Sequence, residues 1–229
     1  RSAAGELDSP VIIGTAEVLL PYGPIEDLAN LLIPMAERAS VPVVVHLDHG
    51  LKEETCRQAL DLGFSSIMYD CSTMEYEANI EHVKRMAETA HACGASIEAE
   101  LGHVGDNGGE DPSLFYTDSA QARDFIERTG ADALAIAVGT AHGAYKLPPK
   151  LDFNRITEIA ENIPTPLVLH GGSGLSDSDF RTAVERGISK VNIFTDINQA
   201  CARAAALGYR EGMGLTDIIL PEIEAVKQS

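Results

Sequence analysis

Apolar positions along the chain fall into two alternating patterns. Short β-branched or aliphatic runs occupy residues 10–15, 41–48, 65–70, 95–100, 131–138, 165–170 and 190–194. They are continuously apolar rather than alternating, the signature of strands covered on both faces. Between them the apolar spacing predicts helices over 25–39, 51–62, 76–92, 119–129 and 176–186. The first carries the stripe Ile25, Leu28, Leu32, Met35 and Ala36; the third carries Ile80, Val83, Met86, Ala87 and Ala90. Gly63, Gly94, Gly130 and Gly187 stand just past four of these segments, where glycine ends helices. Residues 196–229 are helical in composition, with an interruption near 208–214.

Strands alternating with helices imply parallel strands joined by right-handed crossovers. Seven such units fit a (β/α)8 TIM barrel whose first strand is absent from the residues given. A doubly wound open sheet is the alternative fold. No GxGxxG follows the first run, so nothing supports a dinucleotide site. No linker or low-complexity tract divides residues 1–229, which are expected to form a single barrel domain.

The net charge of −18 argues against nucleic acid and anionic membranes as partners, since both call for basic patches. A phosphorylated ligand would need local backbone N–H groups, a helix N-terminus or a metal rather than bulk charge. No apolar run reaches transmembrane length, and residues 1–5 lack the apolar core of a signal peptide. The absence of an initiator methionine suggests a processed or truncated chain. Cys56, Cys71, Cys93 and Cys201 form no CxxC pair, which points to reduced thiols and a cytoplasmic location.

Three of the runs end in a histidine followed by glycine: His49-Gly50, His142-Gly143 and His170-Gly171. Functional groups of a barrel collect at the C-terminal ends of its strands. That rule gathers Asp48, His49, Asp70, Glu100, His142, His170 and residues 192–196 as candidates. Three neutral imidazoles leave a coordination position open, as a catalytic zinc requires. His46, inside its run, is expected as a packed group beneath the site, and His82 and His91 as surface residues. His170-Gly171-Gly172-Ser173-Gly174, followed by a helix, is suited to cradle a phosphate. Asn192 and Thr195 close the last run beside it. The non-periodic stretch 102–117 is long enough to be a mobile lid.

Taken together, six motifs resemble the class II, zinc-dependent ketose-bisphosphate aldolases of fructose-1,6-bisphosphate and tagatose-1,6-bisphosphate type. They are His46-Leu47-Asp48-His49-Gly50, Tyr69-Asp70-Cys71-Ser72, Glu98-Ala99-Glu100-Leu101-Gly102, Gly139-Thr140-Ala141-His142-Gly143, Leu169-His170-Gly171-Gly172-Ser173-Gly174 and Asn192-Ile193-Phe194-Thr195-Asp196. The resemblance implies that His49, His142 and His170 bind Zn2+, with Asp70 and Glu100 as supporting or alternate metal carboxylates. It implies that Asp48 moves the proton at the substrate C4 hydroxyl. Gly143, Gly171, Gly172, Ser173, Asn192 and Thr195 correspond to the phosphate and dihydroxyacetone site, where backbone carbonyls hold a monovalent cation, Na+ or K+. Glu110, with Asp111 as the alternative, corresponds to the lid carboxylate. Homodimers or homotetramers are the family habit.

Two departures stand out. Phe194 replaces an aspartate that fructose-bisphosphate enzymes of this kind often carry. The first strand, which normally supplies an asparagine near the active centre, is absent. The implied reaction splits a ketose 1,6-bisphosphate into dihydroxyacetone phosphate and an aldehyde such as glyceraldehyde 3-phosphate. The resulting carbanion is delocalised as an enediolate stabilised by the metal. No lysine occupies a convincing Schiff-base position, and Lys190 is expected at the start of its strand, at the wrong end. The alternatives are an aldolase acting on another phosphorylated keto sugar, a metal-dependent sugar-phosphate isomerase or hydrolase, and a catalytically silent relative kept for partner binding.

Overall fold

A computed structural model describes residues 2–105, 115–143, 145 and 149–228. Its centre is a sheet of seven parallel strands: β1 (Val11–Ala16), β2 (Val43–Gly50), β3 (Ser66–Tyr69), β4 (Ser96–Leu101), β5 (Ala133–Ile136), β6 (Leu167–Leu169) and β7 (Ile188–Val191). Each strand pairs with the next in chain order, β1 through β7. A doubly wound sheet must reverse that order at a switch point, so the alternative fold is excluded. In a flat sheet β2 and β6 would stand about 19 Å apart, four strand spacings. Yet His49 at the end of β2 touches His170 just past β6, at 2.9 Å. The sheet is therefore strongly curled, a half-barrel of TIM type.

The helices are α1 (Ser2–Glu6), α2 (Ile25–Glu37), α3 (Glu53–Asp61), α4 (Tyr76–Ala92), α5 (Ser119–Thr129), α6 (Phe153–Asn162), α7 (Asp177–Glu185), α8 (Thr195–Gly208) and α9 (Leu215–Gln228). A 3-10 turn over Glu17–Tyr22 follows β1. Helix ends follow the local chemistry. Ser176 and Asp179 form a capping box at the start of α7, and Gly130 takes a left-handed φ of 71° to end α5. α6 carries too few apolar positions to stand out in the sequence. It is short, and Ile156 and Ile159 alone form its buried face, behind an Asp152 N-cap.

Strand parity separates two cores. Val45 and Leu47, Ile67 and Tyr69, Ile97 and Ala99, Leu134 and Ile136, Leu167 and Leu169 face outward, packing with the helices in one large buried cluster. The opposite face lines the barrel interior. There Met68, Ala135 and Val168 form a small apolar cluster. With a period of two, His46 and Asp48, Ser66, Glu98 and Glu100, and His170 fall on that inner face.

Two irregularities alter the parity where the site lies. Leu47 pairs with Ile67 but Gly50 pairs with Tyr69, so β2 carries one extra residue at Asp48–His49. Leu167 pairs with Ile188 but Val168 pairs with Lys190, so Ser189 is extra in β7. Such bulges re-aim side chains next to functional sites. The second one corrects the placement of Lys190. The last strand begins two residues earlier than expected, and Lys190 lies inside it with its ammonium group 2.6 Å from Glu98.

Candidate active site

The bulge in β2 lets Asp48 and His49, consecutive in the chain, both contribute to one end of the barrel. It places His49 at a φ of 42°, in the left-handed region that costs a non-glycine residue on the order of 1–2 kcal/mol. Just past β6, His170 is wholly buried. His142 comes from the segment after β5, where its backbone N–H donates to the Gly105 carbonyl at 2.9 Å. The three imidazoles meet nearly edge to face. Ring centroids are 4.6 Å apart for His49 and His170, 4.8 Å for His49 and His142, and 5.8 Å for His142 and His170. One ring nitrogen from each falls within 4.8 Å of the others, and a ring nitrogen of His49 lies equally close to a carboxylate oxygen each of Asp70 and Glu100.

Carboxylates behind the rings decide which nitrogens are available. His49 donates from Nδ1 to Asp70 Oδ2 at 2.7 Å. His170 donates from Nε2 to Glu98 Oε1 at 2.8 Å. That leaves His49 Nε2 and His170 Nδ1 facing each other at 2.9 Å, a contact that needs a proton or a cation between two lone pairs. Burial opposes charge on His49, but the Asp70 hydrogen bond and the carboxylates of Asp48 and Glu100 outweigh it and push the group up to about 9. Burial likewise opposes ionised Asp70, yet hydrogen bonds from His49 and Ser72 bring it down to about 2. His142 goes the other way: burial and its two histidine neighbours hold it below the usual range. The facing nitrogens of His49 and His170 thus mark a place where a cation fits.

The donor set fits such an ion. His142 Nε2 and Glu100 Oε2 are buried with no hydrogen-bond partner, although buried polar atoms normally have one. Three imidazole nitrogens with adjoining carboxylates match the chemistry of a catalytic zinc site with an open position.

Beside this centre Asn192 donates from Nδ2 to Asp48 Oδ1 at 3.0 Å, tying the segment after β7 to β2. The loop after β6 is built for close backbone approach. Gly171 has a φ of 69°, and a Cβ there would run into the Ala141 carbonyl oxygen. A Cβ on Gly172 would meet Val191 and the Asn192 carbonyl. Ser173 Oγ accepts from the Asp196 backbone N–H at 3.1 Å, and the Gly174 N–H donates to Asp196 Oδ2 at 2.8 Å. Thr195 opens α8 next to that loop. Gly143 has a φ of 90° and nothing within 4 Å of where a Cβ would stand.

The expected lid carboxylate Glu110 and its alternative Asp111 lie outside the described residues. The segment's two ends do meet, since the His103 N–H donates to the Phe115 carbonyl at 3.2 Å. His46 is 2% exposed, hydrogen-bonded to Ser66 Oγ at 2.8 Å, and held down to about 4 by burial. Glu98 and Lys190 also belong to the site's surroundings, outside the candidates named from the sequence. The available signal was the two-residue step from Glu98 to Glu100, which puts both on one face of β4. Burial works against ionised Glu98, but the His170 hydrogen bond and the Lys190 charge keep it below the usual carboxylate range.

The profile of the family described as Fructose-bisphosphate aldolase class-II matches residues 1–228. The chain is 42% identical over 201 residues to protein YdjI of Escherichia coli (strain K12), covering 86% of this chain and 72% of YdjI. The crystal structure of the YdjI aldolase superposes with a TM-score of 0.87 at 36% identity, covering 99% of this chain and 80% of that one. A Coccidioides immitis protein described as a candidate fructose-1,6-bisphosphate aldolase gives 0.89 at 28% identity, covering 99% and 82%. Fructose-bisphosphate aldolase from Campylobacter jejuni shares the fold, with a TM-score of 0.74 at 24% identity and coverage of 99% and 82%.

Proposed function

Since this chain belongs to the class-II fructose-bisphosphate aldolase family and is thus a carbon–carbon lyase, we propose that it reversibly cleaves a ketose 1,6-bisphosphate of fructose or tagatose type. The products are dihydroxyacetone phosphate and an aldehyde such as glyceraldehyde 3-phosphate. The observation that carries this reading is the meeting of His49, His142 and His170, with one nitrogen of each within 4.8 Å of the others.

In this proposal those three imidazoles hold Zn2+, and Asp70 and Glu100 flank it. Bound zinc supplies a Lewis acid for the electron pair released toward the substrate C2 carbonyl. Asp48 takes the C4 hydroxyl proton as the C3–C4 bond breaks, a contribution of about 10²–10⁴-fold in rate. Asn192 holds that carboxylate in place. Gly143, Gly171, Gly172, Ser173, Asn192 and Thr195 would hold the phosphate and dihydroxyacetone end, and backbone carbonyls there would hold a monovalent cation, Na+ or K+. The segment containing Glu110 moves the proton at the three-carbon ketone. Lys190 is no candidate for an imine route, because its ammonium is already paired with Glu98.

Phe194 is 56% exposed at the start of α8, two residues from Asn192. A phenyl ring cannot accept a hydrogen bond as an aspartate does, so sugar hydroxyls at this edge are read by other groups. Association into a homodimer or homotetramer is supported by exposed Leu207, Tyr209, Leu215 and Leu220 on and between α8 and α9, which bury no residue of their own. Sedimentation of the native chain tests that part. No described helix is long and apolar enough to cross a membrane.

The test is release of dihydroxyacetone phosphate from both C4-epimeric ketose 1,6-bisphosphates and their monophosphates, with and without chelator. Chelator-sensitive release from a bisphosphate is the expected result. Interconversion of sugar phosphates without triose release would replace cleavage by isomerisation.

A further inference from the structure

Beneath the three histidines lies a buried ionic chain that the aldolase reading leaves unused. Glu98 is 2% exposed and points into the barrel interior. Its Oε1 accepts from His170 Nε2 at 2.8 Å, and its Oε2 accepts from Lys190 Nζ at 2.6 Å. His46 Nε2 lies 3.9 Å from the same Oε2. Lys190 reaches this position only because of the extra residue at Ser189. Two strands that are not neighbours, β4 and β7, are thus joined through the inside of the barrel directly below His170.

We propose that Glu98 is a positioning residue that fixes the tautomer of His170, and that Lys190 locks Glu98 in the role of acceptor. The inference rests on the reading of His49, His142 and His170 as a metal centre. An ammonium group only donates, and an ionised carboxylate only accepts. Lys190 therefore occupies one carboxylate oxygen as a donor, and the other oxygen must receive the His170 Nε2 proton. His170 Nδ1 is then left with its lone pair directed at His49 Nε2, the side on which a metal would bind. A hydrogen-bonded partner on the far nitrogen is the usual way a ligating histidine is oriented, and its loss typically costs 10–100-fold in metal affinity.

Glu98→Gln separates this role from simple charge pairing. The glutamine amide has one accepting and one donating end. Lys190 requires the accepting end, which turns the NH2 group toward His170 and sets donor against donor at Nε2. Co2+ affinity of the folded variant should fall 10–100-fold, and the cobalt visible spectrum should change. Adding Lys190→Met frees the amide to turn its carbonyl to His170. The double variant, E98Q/K190M, should regain at least tenfold of the lost affinity.

Nitrogen-15 NMR of the metal-free native chain gives a readout that needs no variant: His170 should carry its proton on Nε2. The inference is overturned if E98Q binds Co2+ within twofold of the native chain with the same spectrum. It is equally overturned if the double variant binds no better than E98Q, or if native His170 is protonated on Nδ1 alone. Failure of the native chain to take up any Co2+ would instead remove the metal reading itself, and this inference with it.

Discussion

His170 Nδ1 lies 2.9 Å from His49 Nε2, although the strands that carry the two residues are separated by three others. Each ring is held from behind by its own carboxylate, Asp70 for His49 and Glu98 for His170. The contact therefore reports both the curl of the sheet and the chemistry of the site.

Asp48→Ala should leave the fold and the metal content intact, because Asp48 is only partly buried and, among the described side chains, is bonded by Asn192 alone. The rate of ketose-bisphosphate cleavage should drop at least about 10²-fold. Steady-state kinetics with matched zinc content checks this; full activity would take Asp48 out of the chemistry.

His142→Ala should lower metal content and cleavage together. Since His142 Nε2 has no hydrogen-bond partner among the described residues, its removal strands no described partner of that atom, and the chelated variant should melt within a few degrees of the chelated native chain. Metal analysis alongside calorimetry reads both quantities. Native zinc stoichiometry in the variant would refute the ligand assignment.

Removing the metal should destabilise the chain. A ligand that binds only the folded state at about 100 times its dissociation constant contributes about 2.7 kcal/mol. Melting after chelation, followed by zinc add-back, should show a reversible downward shift in Tm. An unchanged Tm across a range of zinc concentrations would count against the site.

Gly171→Ala should be costly in two ways. Its φ of 69° disfavours a side chain, and the new Cβ would collide with the Ala141 carbonyl. Together these amount to about 2–5 kcal/mol, with loss of substrate binding from the displaced loop. Gly94→Ala is the control: its φ is 73° but nothing lies within 4 Å, so only the backbone cost of about 1–2 kcal/mol applies. Equal losses in urea melts would show that the close approach at Gly171 is unimportant.

His46 makes stability sensitive to mild acid. Its pKa is lowered by burial to about 4, against about 6.5 in the unfolded chain. The unfolded state therefore binds the proton more readily, so the stability contributed by neutral His46 is complete above pH 6.5. It is lost as the pH falls from 6.5 toward 4, at up to about 1.4 kcal/mol per pH unit. His46→Gln should flatten the stability curve of the metal-free chain in that window. An unchanged slope in denaturant titrations would place the acid sensitivity elsewhere.

The order of strands and helices was legible because local patterns impose it. Continuous apolar runs and glycine stops marked nearly every element, and Tyr76–Ala92 and Ser119–Thr129 fall where the spacing predicts. The histidine–glycine endings marked His49, His142 and His170 as partners, since strand ends of a parallel barrel share one rim. Glu98 and Lys190 were not legible in the same way. A glutamate inside an apolar strand has no visible partner until β4 and β7 face each other across the interior, 92 positions apart in the chain.

The sequence by itself determined the order of strands and helices, the approximate place of each, and which histidines lie at or beyond the strand ends. Those outcomes follow from continuous apolar runs, helical spacing and glycine stops. The tertiary structure alone decided the register shifts at Asp48–His49 and Ser189, and with them the direction of His49 and Lys190. A bulge is chosen by the fit of neighbouring strands in a curled sheet, a constraint that no single stretch of chain contains.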